Sequence, residues 1–323
     1  MSGWPSVGVV IPTRDRPGQL REAIASVLAQ DYPGRLQVVV VFDGAPVDQD
    51  LVRGAQGARG ARGARDALVA DGSQPDHLLV LVNDRSPGLG GARNCGILAS
   101  RTDLVAFCDD DDRWLPGKLR AQVAALRSSP GAEFSSCGIA VQFEGKTTDR
   151  LAGTAEITHQ DLIRSRMVMV HSSTYLASRA ALLDGIGLVN ENIPGGQNED
   201  WDLALRAASR RPIVNVDQPL VQVAWGANSH YARAWDTKAQ SLIWMLEHHG
   251  DLVKNQAGAA RVYAQIAFAY ACLGERSESC RWIGRALRHN WLEPRVPFAA
   301  AVAAGVVSGE RVLRTLHTRG RGI

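Results

Sequence analysis

The sequence predicts an α/β protein with a doubly wound sheet, closed by a helical extension at its C-terminal end. Three observations carry that expectation. Short apolar runs alternate with helix-period segments as far as about Trp225. Polar residues stand directly after several of those runs, where open α/β sheets place their ligands. From Trp235 onward the pattern is helical throughout.

Val7 to Ile11 is β-branched and closed by Pro12, and Gln19 to Ala29 then sets Leu20, Ile24, Val27 and Leu28 at helical spacing. Leu36 to Phe42 is almost continuously apolar, as a parallel strand covered on both faces must be. Arg53 to Arg65 repeats Gly-Ala-Arg without an apolar face and reads as an exposed, flexible connection. Leu78 to Val82 predicts a third strand, Gly88 to Gly91 a turn, Ala92 to Ala99 a helix, and Leu104 to Cys108 a fourth strand. Beyond Pro116 come a helix over Lys118 to Arg127, strand signals near Ser135 to Phe143 and Ser173 to Ala177, and a helix over Glu199 to Ser209. The extension carries helical patterns over Lys238 to His248, Ala259 to Leu273 and Ser277 to Arg288. The division expected is a catalytic unit over 1–235 and a helical region over 236–323. Tyr270 to Gly274 with Ala286-Leu287 is similar to a single tetratricopeptide-type hairpin. Solenoids need about three such repeats, so a helical cap is the simpler reading.

Composition removes several classes. A net charge of +3 over 323 residues is too small for a nucleic-acid-binding face. Five cysteines without CxxC spacing suit a reducing compartment, and the N-terminus lacks a signal-peptide pattern, so a cytoplasmic location is expected. Val296 to Val307 is far shorter than the ~20 residues of a membrane span. The tail Arg311 to Arg321 is basic; it reads either as a solvated tail or, with Val312 and Leu316, as a peripheral contact with acidic lipid at the inner face of a membrane.

Chemistry concentrates at four places. Phe107-Cys108 leads into Asp109, Asp110, Asp111 and Asp112, and four adjacent anions are tolerable only if solvated or neutralised by a cation. A hard divalent ion shared with substrate phosphates meets that need. Asn198-Glu199-Asp200-Trp201 starts a helix, where acidic residues also serve as ordinary caps. Pro12-Thr13-Arg14-Asp15-Arg16 comes after the first strand. Gly88 to Asn94 offers backbone amides and Arg93 to a phosphate, although it matches neither the Walker pattern nor the dinucleotide fingerprint.

Taken in order, these pieces resemble the family 2 inverting glycosyltransferases of the GT-A fold, over about residues 6–225. The resemblance rests on Val10 to Thr13 with Asp15-Arg16, Phe42-Asp43-Gly44, Gly91 to Asn94, Phe107 to Asp112 with Trp114 and Pro116, and Glu199 to Trp201. It implies a doubly wound mixed sheet that binds a nucleoside-diphosphate sugar, a UDP-sugar first among them, together with Mn²⁺ or Mg²⁺. By resemblance, Pro12, Thr13 and Asp15 line the nucleoside pocket, Asp43 accepts from the base, and Arg93 lies near base and diphosphate. Asp109 or Asp110 holds the ribose or assists the metal. Asp111 ligates the metal as the last member of an Asp-X-Asp, in a register that four aspartates leave open by one residue. His230 is a second candidate ligand. Asp200 is the expected base, acting with inversion at the anomeric carbon, and Trp201 either stacks on an acceptor sugar or packs in the core. Phe42 departs from the paired acid that often precedes the glycine.

The acceptor expected is a glycan, a lipid-linked glycan, a natural product or a peptide. Two other readings stand beside this one. A nucleotidyltransferase would carry a glycine-rich signature after its first strand, which Pro12 to Arg16 lacks. An inactive binding module would have no need of Asp111 and Asp200 together.

Overall fold

The structure is a computed structural model that describes residues 3–51, 62–63, 78–225 and 234–318. Its strands in chain order are β1 (Val7–Thr13), β2 (Leu36–Phe42), β3 (Arg62–Gly63), β4 (Leu78–Val82), β5 (Leu104–Phe107) and β6 (Arg113–Trp114). After them come β7 (Phe134–Phe143), β8 (Lys146–Arg150), β9 (Glu156–Ile157), β10 (Leu176–Ser178) and β11 (Ile213–Ala224). They form one sheet in the order β3-β4-β2-β1-β5-β10-β7-β11-β6, with β8 beside β7 and β9 beside β11. The half containing β3, β4, β2, β1 and β5 is parallel. β10 runs antiparallel between β5 and β7, which makes the sheet mixed.

The continuous apolar runs explain the layering. Val38, Val39, Val40 and Val41 are all fully buried, because alternate side chains of β2 enter cores on opposite faces. On one face Val9, Ile11, Val38 and Val40 meet Leu20, Ile24 and Val27 of the helix Pro17–Leu28. On the other, Val10, Val39 and Val41 join Ile97 of the helix Leu89–Ala99. A Cβ on Gly96 would sit 2.4 Å from Val10 Cγ1, so glycine is what lets this helix lie close on β1.

The core on the second face runs without a break into the helices Trp235–His248, Gln256–Leu273, Arg276–His289 and Val296–Ala303, through Leu242, Met245, Val262, Phe268 and Trp282. The helical extension therefore shares its hydrophobic interior with the sheet.

Several local expectations need correction. The helix after Gly88 begins at Leu89 and absorbs Gly90 and Gly91, with Gly88 at φ +110° outside it. A Cβ on Gly91 would meet Ser86 O at 1.9 Å, so these glycines serve close packing inside a helix rather than a flexible turn. Ser173 to Ala177 is not one strand: Ser172–Thr174 forms a 3₁₀ turn before β10, because its hydroxyls turn toward the aspartates. Within the Gly-Ala-Arg repeat, Arg62–Gly63 is a strand paired in parallel with Leu81–Val82, and the rest of the repeat is outside the described residues. The helices His159–Arg164, Val296–Ala303 and Gly309–His317 were not expected.

Candidate active site

β1, β2 and β5 end side by side, and the residues just beyond their carboxyl ends face one cavity of about 1260 Å³. Pro12, Thr13, Asp43 and Asp109 to Asp112 line it, as the carboxyl-end rule for open sheets predicts. Glu199 and Asp200, at the start of the helix Glu199–Arg210, line it as well. Sequence stretches separated by up to about 190 residues thus converge on one space.

The four aspartates are held individually. Asp109 accepts from Arg93 Nη2 at 2.6 Å and Ser172 Oγ at 2.8 Å. Burial pushes its pKa up, but Arg93 and His171 outweigh that and hold it below the usual carboxylate range. Asp110 accepts from Thr13 Oγ1 at 2.8 Å and Arg16 Nη1 at 3.0 Å; burial dominates there and raises its pKa. Asp111 accepts from Arg16 at 2.7 Å, and its side chain is 35% exposed against 8% for Asp110. Asp112 is buried and accepts from Ser173 Oγ at 2.6 Å, and burial with repulsion from Asp109 pushes its pKa well up.

A cation can be accommodated. Donor atoms of Asp109, Asp112 and His171 all lie within 4.8 Å of one another, so two carboxylates and an imidazole are in reach of one divalent cation. His171 was not among the expected ligands; it enters through the turn before β10, and no local sequence signal marks it.

Asp200 is buried, and its two oxygens lie 3.0 and 2.9 Å from Arg166 Nη2. Burial opposes ionisation, yet Arg166 and then His171 prevail, so Asp200 stays below its ordinary pKa. Its neighbour Glu199 behaves oppositely. Burial lifts Glu199 to about 7 against the pull of Arg93, with which it forms a short ion pair.

Other expected residues lie differently. Arg93 is buried with its guanidinium between Asp109 and Glu199, so it clamps two acidic segments together instead of facing the cavity. Asp15 is exposed with φ +55° and outside the cavity wall; Arg16 is the residue of that loop that reaches the aspartates. Asp43 accepts from Asn83 Nδ2 at 2.7 Å and Gly88 N at 2.9 Å, which ties β2 to the glycine segment and leaves acceptor capacity on both oxygens. Of the two readings of Trp201, the core reading holds: it is buried and donates to Leu162 O at 3.1 Å. His230 lies outside the described residues.

The family model described as "Glycosyl transferase family 2" matches residues 8–182, more than half of the chain. The chain belongs to glycosyl transferase family 2. This glycosyltransferase is 23% identical over 234 residues to the amylovoran biosynthesis glycosyltransferase AmsE of Erwinia amylovora, covering 72% of this chain and 80% of that one. The chain spans only 32% and 33% of the length of two further curated relatives, both uncharacterized glycosyltransferases.

Among solved structures it is similar to S. aureus TarS 1–349 in complex with UDP-GlcNAc, with TM-score 0.61, 16% identity, and coverage of 98% of this chain and 92% of that chain. The mannosyltransferase PcManGT from Pyrobaculum calidifontis, in complex with GDP-Man and Mn²⁺, gives TM-score 0.51, 18% identity, and coverage of 97% and 80%. At these identities the likeness is one of fold, and the fold of the glycosyltransferase is GT-A. The family match ends before Asp200. Among the described residues no helix is long and apolar enough to cross a membrane.

Proposed function

We propose that this glycosyltransferase moves a sugar from a nucleoside diphosphate to an acceptor hydroxyl with inversion, in a metal-dependent reaction. The observation that carries the reading is the pairing of opposite tasks in one cavity. A strand-end carboxylate cluster able to hold a cation lines it, and so does a separate buried carboxylate, Asp200, that Arg166 keeps ionised.

Pro12, Thr13 and Asp43 line the nucleoside end of the cavity in this reading. Asp109 and Asp112 with His171 would hold Mn²⁺ or Mg²⁺, with Asp111, now paired to Arg16, as a further ligand; the ion supplies positive charge for the departing diphosphate. Asp200 removes the proton of the acceptor hydroxyl as its oxygen bonds to the anomeric carbon. The bond from that carbon to the phosphate oxygen breaks, the electron pair leaves with the diphosphate, and attack from the opposite face inverts the centre. Arg93 and Arg166 position the acids: Arg93 holds Glu199 and Asp109, and Arg166 holds Asp200. The helical region from residue 236 belongs to this catalytic unit, since Lys238, Leu242, Arg261 and His317 line the same cavity.

A nucleotide-sugar donor is supported by the UDP-GlcNAc and GDP-Man bound in the two structural neighbours. A lipid-linked glycan acceptor is supported by two relatives whose names give undecaprenol-linked glycan acceptors, the E. coli glucosyltransferase WfaP and a Campylobacter jejuni glucosyltransferase. Thermal melting with Mn²⁺ and a panel of UDP, GDP and dTDP tests the donor site, because a ligand that binds only the folded state raises the melting temperature. The expected result is a metal-dependent rise with one of them that Asp111→Ala loses. A flat response to all three in the wild type would remove the donor site, and with it the transferase assignment of this cavity.

A further inference from the structure

The cavity has a second, oppositely charged wall that the transfer reaction does not use. Lys238 lies on the helix Trp235–His248 and Arg261 on the helix Gln256–Leu273, and both line the cavity together with Arg166 and Arg295. Two of these four cations are neutralised: Arg166 pairs with Asp200 at 2.9 Å, and Arg295 with Glu293 at 2.8 Å. The other two are not. Arg261 is 6% exposed, and its Nε and Nη2 have no hydrogen-bond partner among the described residues. It stands 5.2 Å from the ring of Trp201, which offers no hydrogen-bond acceptor, and it feels the Glu293 carboxylate, already paired with Arg295, without a hydrogen bond to Nε or Nη2. The Lys238 ammonium stands 5.2 Å from the Trp235 ring and has no carboxylate partner among the described residues.

A buried guanidinium with two nitrogens unpartnered is costly, and the electrostatics of Arg261 register that cost; half-buried Lys238 adds positive charge beside Arg166. Burial first, then Arg295 and Arg166, press Arg261 down to about 9 against a smaller opposing pull from Glu293. Burial and then Arg166 press Lys238 down to about 8. Packing alone would be served as well by Met or Leu at either position. Two cations on a cavity wall, with the nearby described carboxylates already engaged, suit an anionic ligand.

We infer that Lys238 and Arg261 form an anion site that takes a phosphate group carried by the acceptor. The inference rests on the transferase reading of the cavity. That reading assigns the donor's diphosphate to the aspartates after β5, whose side-chain partners are Thr13, Arg16, Arg93, Ser172 and Ser173 and do not include Lys238 or Arg261. Lys238 and Arg261 are both neighbours of Arg166, which holds the base Asp200. A phosphate seated here therefore brings its own molecule to the side of the cavity where the attacking hydroxyl must lie. The acceptor class so defined is a hydroxyl compound bearing a phosphate ester or diester.

The test uses the full chain saturated with Mn²⁺ and whichever nucleoside diphosphate raises its melting temperature, at constant ionic strength. sn-Glycerol 3-phosphate is the probe, and glycerol is its neutral control. The wild type is expected to gain a further ~2 °C from the phosphate ester and nothing from glycerol. Arg261→Gln and Lys238→Met are expected to lose that second rise and keep the first. Lys238, which is only half-buried, carries the test if Arg261→Gln fails to fold. A wild type that answers the nucleotide but not the phosphate ester overturns the inference and leaves the transferase reading standing. Loss of the nucleotide response in Lys238→Met overturns it too, because the cations would then serve the donor. Silence toward every nucleotide removes the donor reading first, and the acceptor site falls with it.

Discussion

The two walls of the cavity handle charge in opposite ways. On the sheet side, Asp109, Asp110 and Asp112 are each met by hydroxyls or cations from other segments, namely Thr13, Arg16, Arg93, Ser172 and Ser173. On the helical side, Arg261 keeps two guanidinium nitrogens without a hydrogen-bond partner among the described residues, and Lys238 lines the same wall. The acidic wall is prepared internally, so that its side chains stand ready for a cation at little reorganisation cost. The basic wall is held in deficit, and a ligand completes it. Asp200 sits at the meeting point, its charge settled by Arg166.

Several substitutions sharpen or break that contrast. Asp200→Asn keeps the shape and removes the base, so turnover should fall by about 10²–10⁴, the range for a general base, with nucleotide binding retained. Single-turnover kinetics beside a nucleotide titration separates the two; equal loss of binding would move Asp200 into the donor site. Arg93→Met strands Glu199 and Asp109 together in the interior and should destabilise the fold by about 3–5 kcal/mol, measured by urea unfolding. A near-neutral result would mean that the acidic wall does not depend on its internal cations.

Two smaller effects concern pH. Arg166→Met removes the main force holding Asp200 below its ordinary pKa, so the acid limb of kcat/KM should move to higher pH. An unmoved limb would assign it to another group. Glu199 is raised in the folded state to about 7 from 4.5, so its contribution to stability is fully present below about 4.5 and is lost as pH rises through about 7. Glu199→Gln should flatten the stability profile across that window, read from melting temperatures between about pH 5 and 8.

The acidic wall was legible in the sequence and the basic one was not, for a physical reason. Asp109 to Asp112 are adjacent and come directly after a buried strand, so local pattern alone marks them. Thr13 and Asp43 stood out in the same way, at the ends of β1 and β2. Lys238, Arg261 and Arg295 come from three places in a region of ordinary amphipathic helices, where a basic residue ordinarily reads as solvated surface. His171 and Arg166 were equally silent, since each acts through a carboxylate far along the chain. The surroundings of Arg93 were hidden for the same reason. An arginine beside glycines suggests a phosphate cradle, and only tertiary packing revealed the two carboxylates that already hold it.

Local periodicity was sufficient for the α/β class, the succession of strands and helices, and the order in which polar residues leave the strand ends, because those features depend on neighbours within a few residues. The sequence by itself therefore determined the α/β frame and the acidic edge of its cavity. Which cations neutralise which acids, that Trp201 belongs to the core, and that the C-terminal helices supply a charged wall were decided by the tertiary structure. Burial and electrostatic pairing depend on what the rest of the chain brings within a few ångströms, and that distance is not written in sequence separation.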